Sequence, residues 1–280
     1  MEYITLNNGT KCLAVGIGTF MIAPPDARNS VREALKMGYR LVDTAAAYMN
    51  ERAVGHGIRE SGVPREEVFI STKLWPSEYK NENAVDETLE RLGVEYVDLL
   101  YLHQPAGNWL NGYRMLEKAY REGKAMSIGI SNFEGKYIAE LESKWEILTQ
   151  FIQVEAHPYF AQNELRKTLD KYGIRLMAWY PLGHEDKALV NEPVFTELAA
   201  KYGKSNAQVI LRWHTQMGFA VIPGSKNVAH IRDNADIFDF TLTDDEMAQI
   251  ATLNKGVRYY NGTEEQLAAY AAWQPTYETE

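Results

Sequence analysis

Four residues in this sequence could do chemistry together: Asp43, Tyr48, Lys73 and His103. Asp43 closes the apolar run YRLVD (39–43), and Tyr48 follows five positions on. Lys73 closes EVFISTK (67–73), and His103 closes VDLLYLH (97–103). A lysine ammonium beside a phenol favours the phenolate, so the tyrosine pKa is expected to fall. A carboxylate beside the lysine keeps it charged despite burial. An adjacent imidazole can hydrogen-bond the phenol or a carbonyl oxygen. Such a set is a proton donor tuned towards neutral pH, as carbonyl reduction requires once hydride reaches carbon. Taken singly, each residue has an ordinary alternative. Asp43 could be a turn residue, Lys73 a rim lysine with its head in water, and Tyr48 is one of 17 tyrosines. Their shared placement after apolar runs selects them.

The elements that must hold them follow from the pattern. Eight short apolar or β-branched runs read as strands: 13–18, 39–43, 67–73, 97–103, 125–131, 151–156, 174–179 and 219–223. Their near-continuous apolar character suits parallel strands covered on both faces. Helical patterns lie between them at 26–37, at 81–93 with a stop at Gly93, and at 205–217 opening on Ser205 as N-cap. Strand–helix alternation repeated eight times predicts a (β/α)8 TIM barrel as one domain over 1–280, with an open doubly wound sheet as the alternative. In a barrel the strand C-termini carry the active site. Here they end on Asp43, Lys73, His103, Ser131-Asn132, Gln153 with Glu155, Trp179, and a Pro-Gly-Ser-Lys turn. Residues 3–14 read as an N-terminal β-hairpin plug for the barrel bottom. Residues 255–280 read as an irregular C-terminal segment over the mouth, with loose last residues.

Composition narrows the class. The 280 residues are 45% hydrophobic and carry a formal net charge of −9. An acidic surface disfavours nucleic acid as a partner. No apolar run is long enough to span a bilayer, and the N-terminus lacks the pattern of a secretory signal. The single cysteine, Cys12, allows no internal disulfide and suits a reducing, cytoplasmic setting. No metal site is expected, because the histidines are scattered. His56 and His214 read as surface or packing residues, and His157 as structural. The segment VGIGTFM has no third glycine opening a helix, so it is no dinucleotide fingerprint of the doubly wound type.

DTAAAY, ISTKLW, LLYLHQP and SIGISNF, in that order, resemble the signatures of the aldo-keto reductases. The resemblance runs from GIGTF to IPGSKNVAHIRDN, nearly the whole chain. It implies an NAD(P)H-dependent reductase on a (β/α)8 barrel that uses no metal. By that likeness Tyr48 is the general acid, Lys73 and Asp43 tune it, and His103 orients the carbonyl. The likeness also places the cofactor. Gly18, Thr19 and Asp43 would lie at the nicotinamide ribose, and Ser131, Asn132 and Gln153 at the carboxamide. Trp179 would stack on the nicotinamide. Leu182 and Gly183 would line the pyrophosphate path, and Ser225 and Asn234 the adenosine. Gly224 and His230 stand where many members have a lysine and an arginine for the 2′-phosphate. Lys226 is the candidate substitute, so the expected cofactor is NADPH with NADH left open. Tyr180 stands where serine is common, and Gln104 where tryptophan is frequent. Candidate pocket residues are Phe20, Trp75, His103 and Trp109.

Two other functions are compatible with the same residues. A lysine at a strand end suits a Schiff-base lyase, although a salt-paired lysine is a poor amine nucleophile. A barrel could also keep NADPH as a non-enzymatic regulator. The substrate is expected to be a small carbonyl compound, and its identity is open.

Overall fold

In the computed structural model, which describes residues 1–184 and 186–279, all eight expected runs contain strand. The strands are β1 (Tyr3–Thr5), β2 (Lys11–Leu13), β3 (Ile17–Gly18), β4 (Leu41–Asp43), β5 (Phe69–Leu74), β6 (Leu99–Leu102), β7 (Ile128–Ser131), β8 (Phe151–Glu155), β9 (Arg175–Trp179) and β10 (Ala220–Val221). β3 to β10 pair in chain order, every neighbour parallel, with helices between them. The ends of the sheet meet. The Gly16 N–H donates to the Val221 carbonyl and the Val221 N–H to that of Ala14, each at 2.9 Å. Gly18 bridges Gly224, and a Cβ on Gly18 would stand 2.5 Å from the Ile222 carbonyl oxygen. Only glycine allows that approach. The run 13–18 is not one strand, because Leu13 belongs to the hairpin and β3 keeps only Ile17 and Gly18.

Strand alternation divides the core in two. Outward residues such as Val42, Ile70, Leu100, Ile130 and Ile152 pack with the helices in the larger cluster. Inward residues Leu41, Phe69, Leu99, Tyr101, Phe151 and Met177 fill the lower barrel, together with Leu6, Cys12 and Leu13. The hairpin of β1 and β2 is therefore the plug, antiparallel and turning at Gly9. Helix ends follow the sequence signals. Gly93 ends helix Ala84–Leu92 at φ 68°, and Ser205 caps helix Asn206–Gln216 with a reciprocal bond to Gln208.

The C-terminal segment crosses the mouth, but it is not irregular throughout. Thr263 and Gln266 form a capping box that starts helix Glu264–Ala272. Nor are its last described residues loose. The Tyr277 hydroxyl donates to Glu78 Oε1, and the Arg52 N–H donates to Glu278 Oε2. Among the described residues no helix is long and apolar enough to cross a membrane.

Candidate active site

Asp43 ends β4 with 1% of its side chain exposed, and Lys73 on β5 has 0%. Lys73 Nζ donates to Asp43 Oδ2 at 2.6 Å and to the Thr44 carbonyl at 2.7 Å. Asp43 Oδ1 accepts from Ser71 Oγ at 2.7 Å and from Gln153 Nε2 at 2.9 Å. Asp43 pairs with Ser71 in register, so Lys73 stands one inward step nearer the mouth. A buried ion pair tolerates desolvation when its remaining donors and acceptors are satisfied, as they are here.

Tyr48 ends the short turn Ala46–Tyr48, and Met49 then turns left-handed at φ 54° into helix Glu51–Ser61. Asn50 ties this loop to its neighbour by donating to the carbonyls of Thr19 (2.9 Å) and Ile22 (3.0 Å). The Tyr48 ring, half-buried, lies 4.9 Å from Lys73 Nζ and 5.6 Å edge-on from His103. The four expected residues meet at one end of the barrel.

Their acidities differ from the sequence expectation. The Tyr48 phenol is pushed well above its ordinary value by burial, then by the Asp43 carboxylate and Tyr180. The expected fall is therefore absent from this state. The reason is that the cost of burying a phenolate, with the Asp43 carboxylate added to it, dominates the balance. Burial also draws Lys73 below its ordinary value, against the opposing pull of Asp43. His103 is held well below 6.5, by burial first and the Lys73 charge second. Its Nδ1 is buried without a hydrogen-bond partner among the described residues. At neutral pH the site thus presents a protonated phenol and a neutral imidazole side by side, a set able to give a proton. Lys73, fully enclosed, is badly placed for a Schiff base.

The remaining expected residues divide. Phe20 lies 5.1 Å from the Tyr48 ring, and Trp75 stands edge-on to His103 at 5.0 Å, so both border the cluster. Trp109 does not. It opens helix Trp109–Arg121 and packs on Phe133 at 5.4 Å in the outer core, so packing is its role. Ser131 and Gln153 are register partners at the strand ends. The Gln153 amide nitrogen belongs to the Asp43 network, and the buried Thr19 hydroxyl donates to the Asp43 carbonyl. Asn132, left-handed at φ 64°, accepts from the Trp179 indole N–H at 3.1 Å. That leaves a half-exposed indole beside an amide, a fitting seat for a planar carboxamide ring. Beyond β9, Leu182 and Gly183 form a turn, and Gly183 takes φ 67°. Beyond β10, Ser225 is half-buried, Asn234 is buried, and the Lys226 side chain is 75% exposed with Asp26 no nearer than 4.0 Å. An extended cofactor with anionic groups fits this donor set, with Lys226 as its available cation.

The sequence pattern left Ser71 unnamed, and it placed Glu155 and Gln104 on the rim without their roles. Ser71 shares the inward face two residues before Lys73, and strand alternation could have found it. Glu155 is buried and accepts the backbone N–H groups of Tyr259 (2.6 Å) and Tyr260 (2.9 Å), clasping the C-terminal segment. His157, which donates to or accepts from Glu155 at 2.9 Å, is structural as expected. His214 is buried against the Pro181 carbonyl, a packing role, and His56 is exposed. The Tyr260 ring meets Trp179 at 5.7 Å, and its hydroxyl donates to Gln104 Oε1 at 3.0 Å, a hydrogen bond across 156 positions that no local pattern announces.

Known proteins resemble this chain along most of its length. The chain is 44% identical to glyoxal reductase of Bacillus subtilis, covering 92% of this chain and 94% of that one. It is 42% identical to morphine 6-dehydrogenase of Pseudomonas putida, over 91% and 92% of the two chains. An aldo-keto reductase of Bombyx mori, solved in complex with NADP, superposes with a TM-score of 0.88 at 33% identity over 96% of this chain and 98% of that one. A family model described as the aldo/keto reductase family matches residues 13–255, and with it the chain belongs to that family of NAD(P)H-dependent oxidoreductases acting on carbonyl groups.

Proposed function

We propose that Tyr48 is the proton donor in reduction of an aldehyde or ketone to an alcohol, with NADPH as the preferred reductant. The observation that carries this reading is the meeting of Tyr48, His103 and the Lys73–Asp43 pair at the mouth. A reduced nicotinamide, when bound, supplies a hydride to the carbonyl carbon. Neutral His103 gives an N–H hydrogen bond to the carbonyl oxygen and fixes its direction. Tyr48 transfers its proton to that oxygen as negative charge grows there. The Lys73 ammonium, held by Asp43 and the Thr44 carbonyl, then faces the phenolate and lowers its energy. Gly18, Asp43, Ser131, Asn132, Gln153, Trp179, Leu182, Gly183, Ser225 and Asn234 are assigned to the cofactor path, Thr19 through its backbone. Lys226 is assigned to the 2′-phosphate.

The substrates are small carbonyl compounds in the cytoplasm. One relative is named for glyoxal and another for morphine, so the relatives span small and large substrates. The test is NADPH oxidation with a panel of glyoxal, methylglyoxal and aromatic aldehydes. Tyr48→Phe should lose about a hundred- to ten-thousandfold in turnover while NADPH affinity holds. Retained turnover would remove Tyr48 from the acid role. Tight NADPH binding without turnover by the unaltered protein would favour a regulator.

A further inference from the structure

The tail forms a second buried charged cluster that the proton-transfer steps leave unused. Glu78 is its centre. One carboxylate oxygen accepts the Trp75 N–H at 3.0 Å, and the other accepts the Tyr277 hydroxyl. The Tyr277 ring lies 3.8 Å beneath the Arg91 guanidinium. Arg91 donates to Glu51 at 2.6 Å, and Glu51 accepts from Thr72, the neighbour of Lys73, also at 2.6 Å. Glu51, Glu78 and Arg91 are all buried, and such groups persist only when they satisfy one another.

The next residue closes a different gap. Helix Glu51–Ser61 begins three residues after Tyr48 and has no side-chain cap of its own, because the Asn50 side chain is committed to Thr19, Ile22 and Thr44. Glu278 supplies the acceptor, taking the Arg52 N–H at 2.9 Å, and its carbonyl accepts Arg52 Nε at 3.1 Å. A carboxylate at a helix N-terminus satisfies an orphan donor and opposes the helix dipole. Meanwhile the Trp75 indole N–H donates to the Trp273 carbonyl at 3.2 Å. The same stretch of tail therefore grips both loops that border the reaction: the one carrying Trp75 against His103, and the one continuing from Tyr48.

We propose that Tyr277 and Glu278 are positioning residues of the active site: their docking on Glu78 and on the helix start at Arg52 sets Trp75 beside His103 and steadies the loop of Tyr48. The proposal rests on the reductase reading, because it assigns Trp75 to the wall that meets the carbonyl substrate. It concerns the substrate side of the site, so the cofactor should be indifferent to it.

The test compares the full chain with Tyr277→Phe, Glu278→Ala, Glu278→Gln and a chain ending at Pro275. Readouts are KM and kcat for benzaldehyde, NADPH affinity by fluorescence titration, and amide hydrogen exchange at Trp75 and Arg52. Tyr277→Phe and Glu278→Ala should raise KM roughly five- to tenfold with kcat within about twofold. Glu278→Gln, which keeps an acceptor, should restore the native KM. The shortened chain should show both losses, faster exchange at Trp75 and Arg52, and unchanged NADPH affinity. Unchanged KM in folded variants overturns the proposal. So does a joint fall of kcat, NADPH affinity and melting temperature that Glu278→Gln does not rescue, since that pattern is merely structural. If the unaltered chain reduces no carbonyl, the reductase reading fails by itself, and native exchange at Trp75 and Arg52 in the shortened chain then also overturns the docking role.

Discussion

The two ends of the barrel use the same strands and opposite chemistry. β4 enters on Leu41 and leaves on Asp43, and β5 enters on Phe69 and reaches Ser71 and Lys73. β8 enters on Phe151 and leaves through Gln153 and Glu155. Each step of two residues keeps a side chain inside and moves it towards the mouth. The lower layer is apolar and closed by Leu6, Cys12 and Leu13, whereas the upper layer is a network of donors and acceptors. The lower end holds the cylinder rigid so that the upper end can afford buried charge. Stability and reactivity should therefore be separable by changing residues a few ångströms apart along one strand.

The strongest way to break that division is Lys73→Met. It should reduce turnover at least about a hundredfold and cost about 3–5 kcal/mol of stability, because Asp43 is left buried without a counter-ion. Adding Asp43→Asn should return most of the stability and none of the turnover, read by urea denaturation and by NADPH oxidation on the same samples. Recovery of turnover in the double variant would show that the ion pair only holds the fold. The mirror experiment at the lower end is Phe151→Ala. It should cost about 3–5 kcal/mol through lost burial and a cavity, while turnover per folded molecule stays within about twofold. A large fall in turnover would mean the layers are coupled. The smallest effect concerns pH. Because the Tyr48 phenol is raised and His103 is held neutral, the acid stays protonated and the imidazole uncharged through neutrality. Reduction should change by less than about twofold between about pH 6 and about pH 9. A falling limb near neutrality would restore the lowered-pKa expectation for the working complex.

Much of this was legible from residue order. Apolar runs of five to seven residues predicted eight strands, and barrel geometry gathered Asp43, Tyr48, Lys73 and His103 at their ends. Local signals such as Gly93 and Ser205 also located helix ends. What escaped has physical reasons. The acidity of Tyr48 is a difference between desolvation and opposing charges, and residue types carry no record of that balance. Trp109 has the composition of a pocket wall, yet the helix it opens faces the outer core. Tyr277 and Glu278 find partners about 200 positions away, so nothing in the local pattern QPTYE announced an anchored tail. The helix at 264–272 was legible and went unread: its capping box, Thr263 with Gln266, opens a run of strong helix formers, EEQLAAYAA.

Glu155 holds the strap over the mouth by two backbone N–H groups, those of Tyr259 and Tyr260. A backbone N–H is common to every residue but proline, so this part of the grip does not depend on side-chain identity. The side chains add their own hold, because the Tyr259 hydroxyl donates to Asp186 Oδ2 at 2.6 Å and the Tyr260 hydroxyl to Gln104 Oε1 at 3.0 Å. Replacing either tyrosine removes one side-chain tie and leaves the backbone clasp to Glu155 in place, so the strap over the mouth is fastened twice, by peptide groups and by phenols.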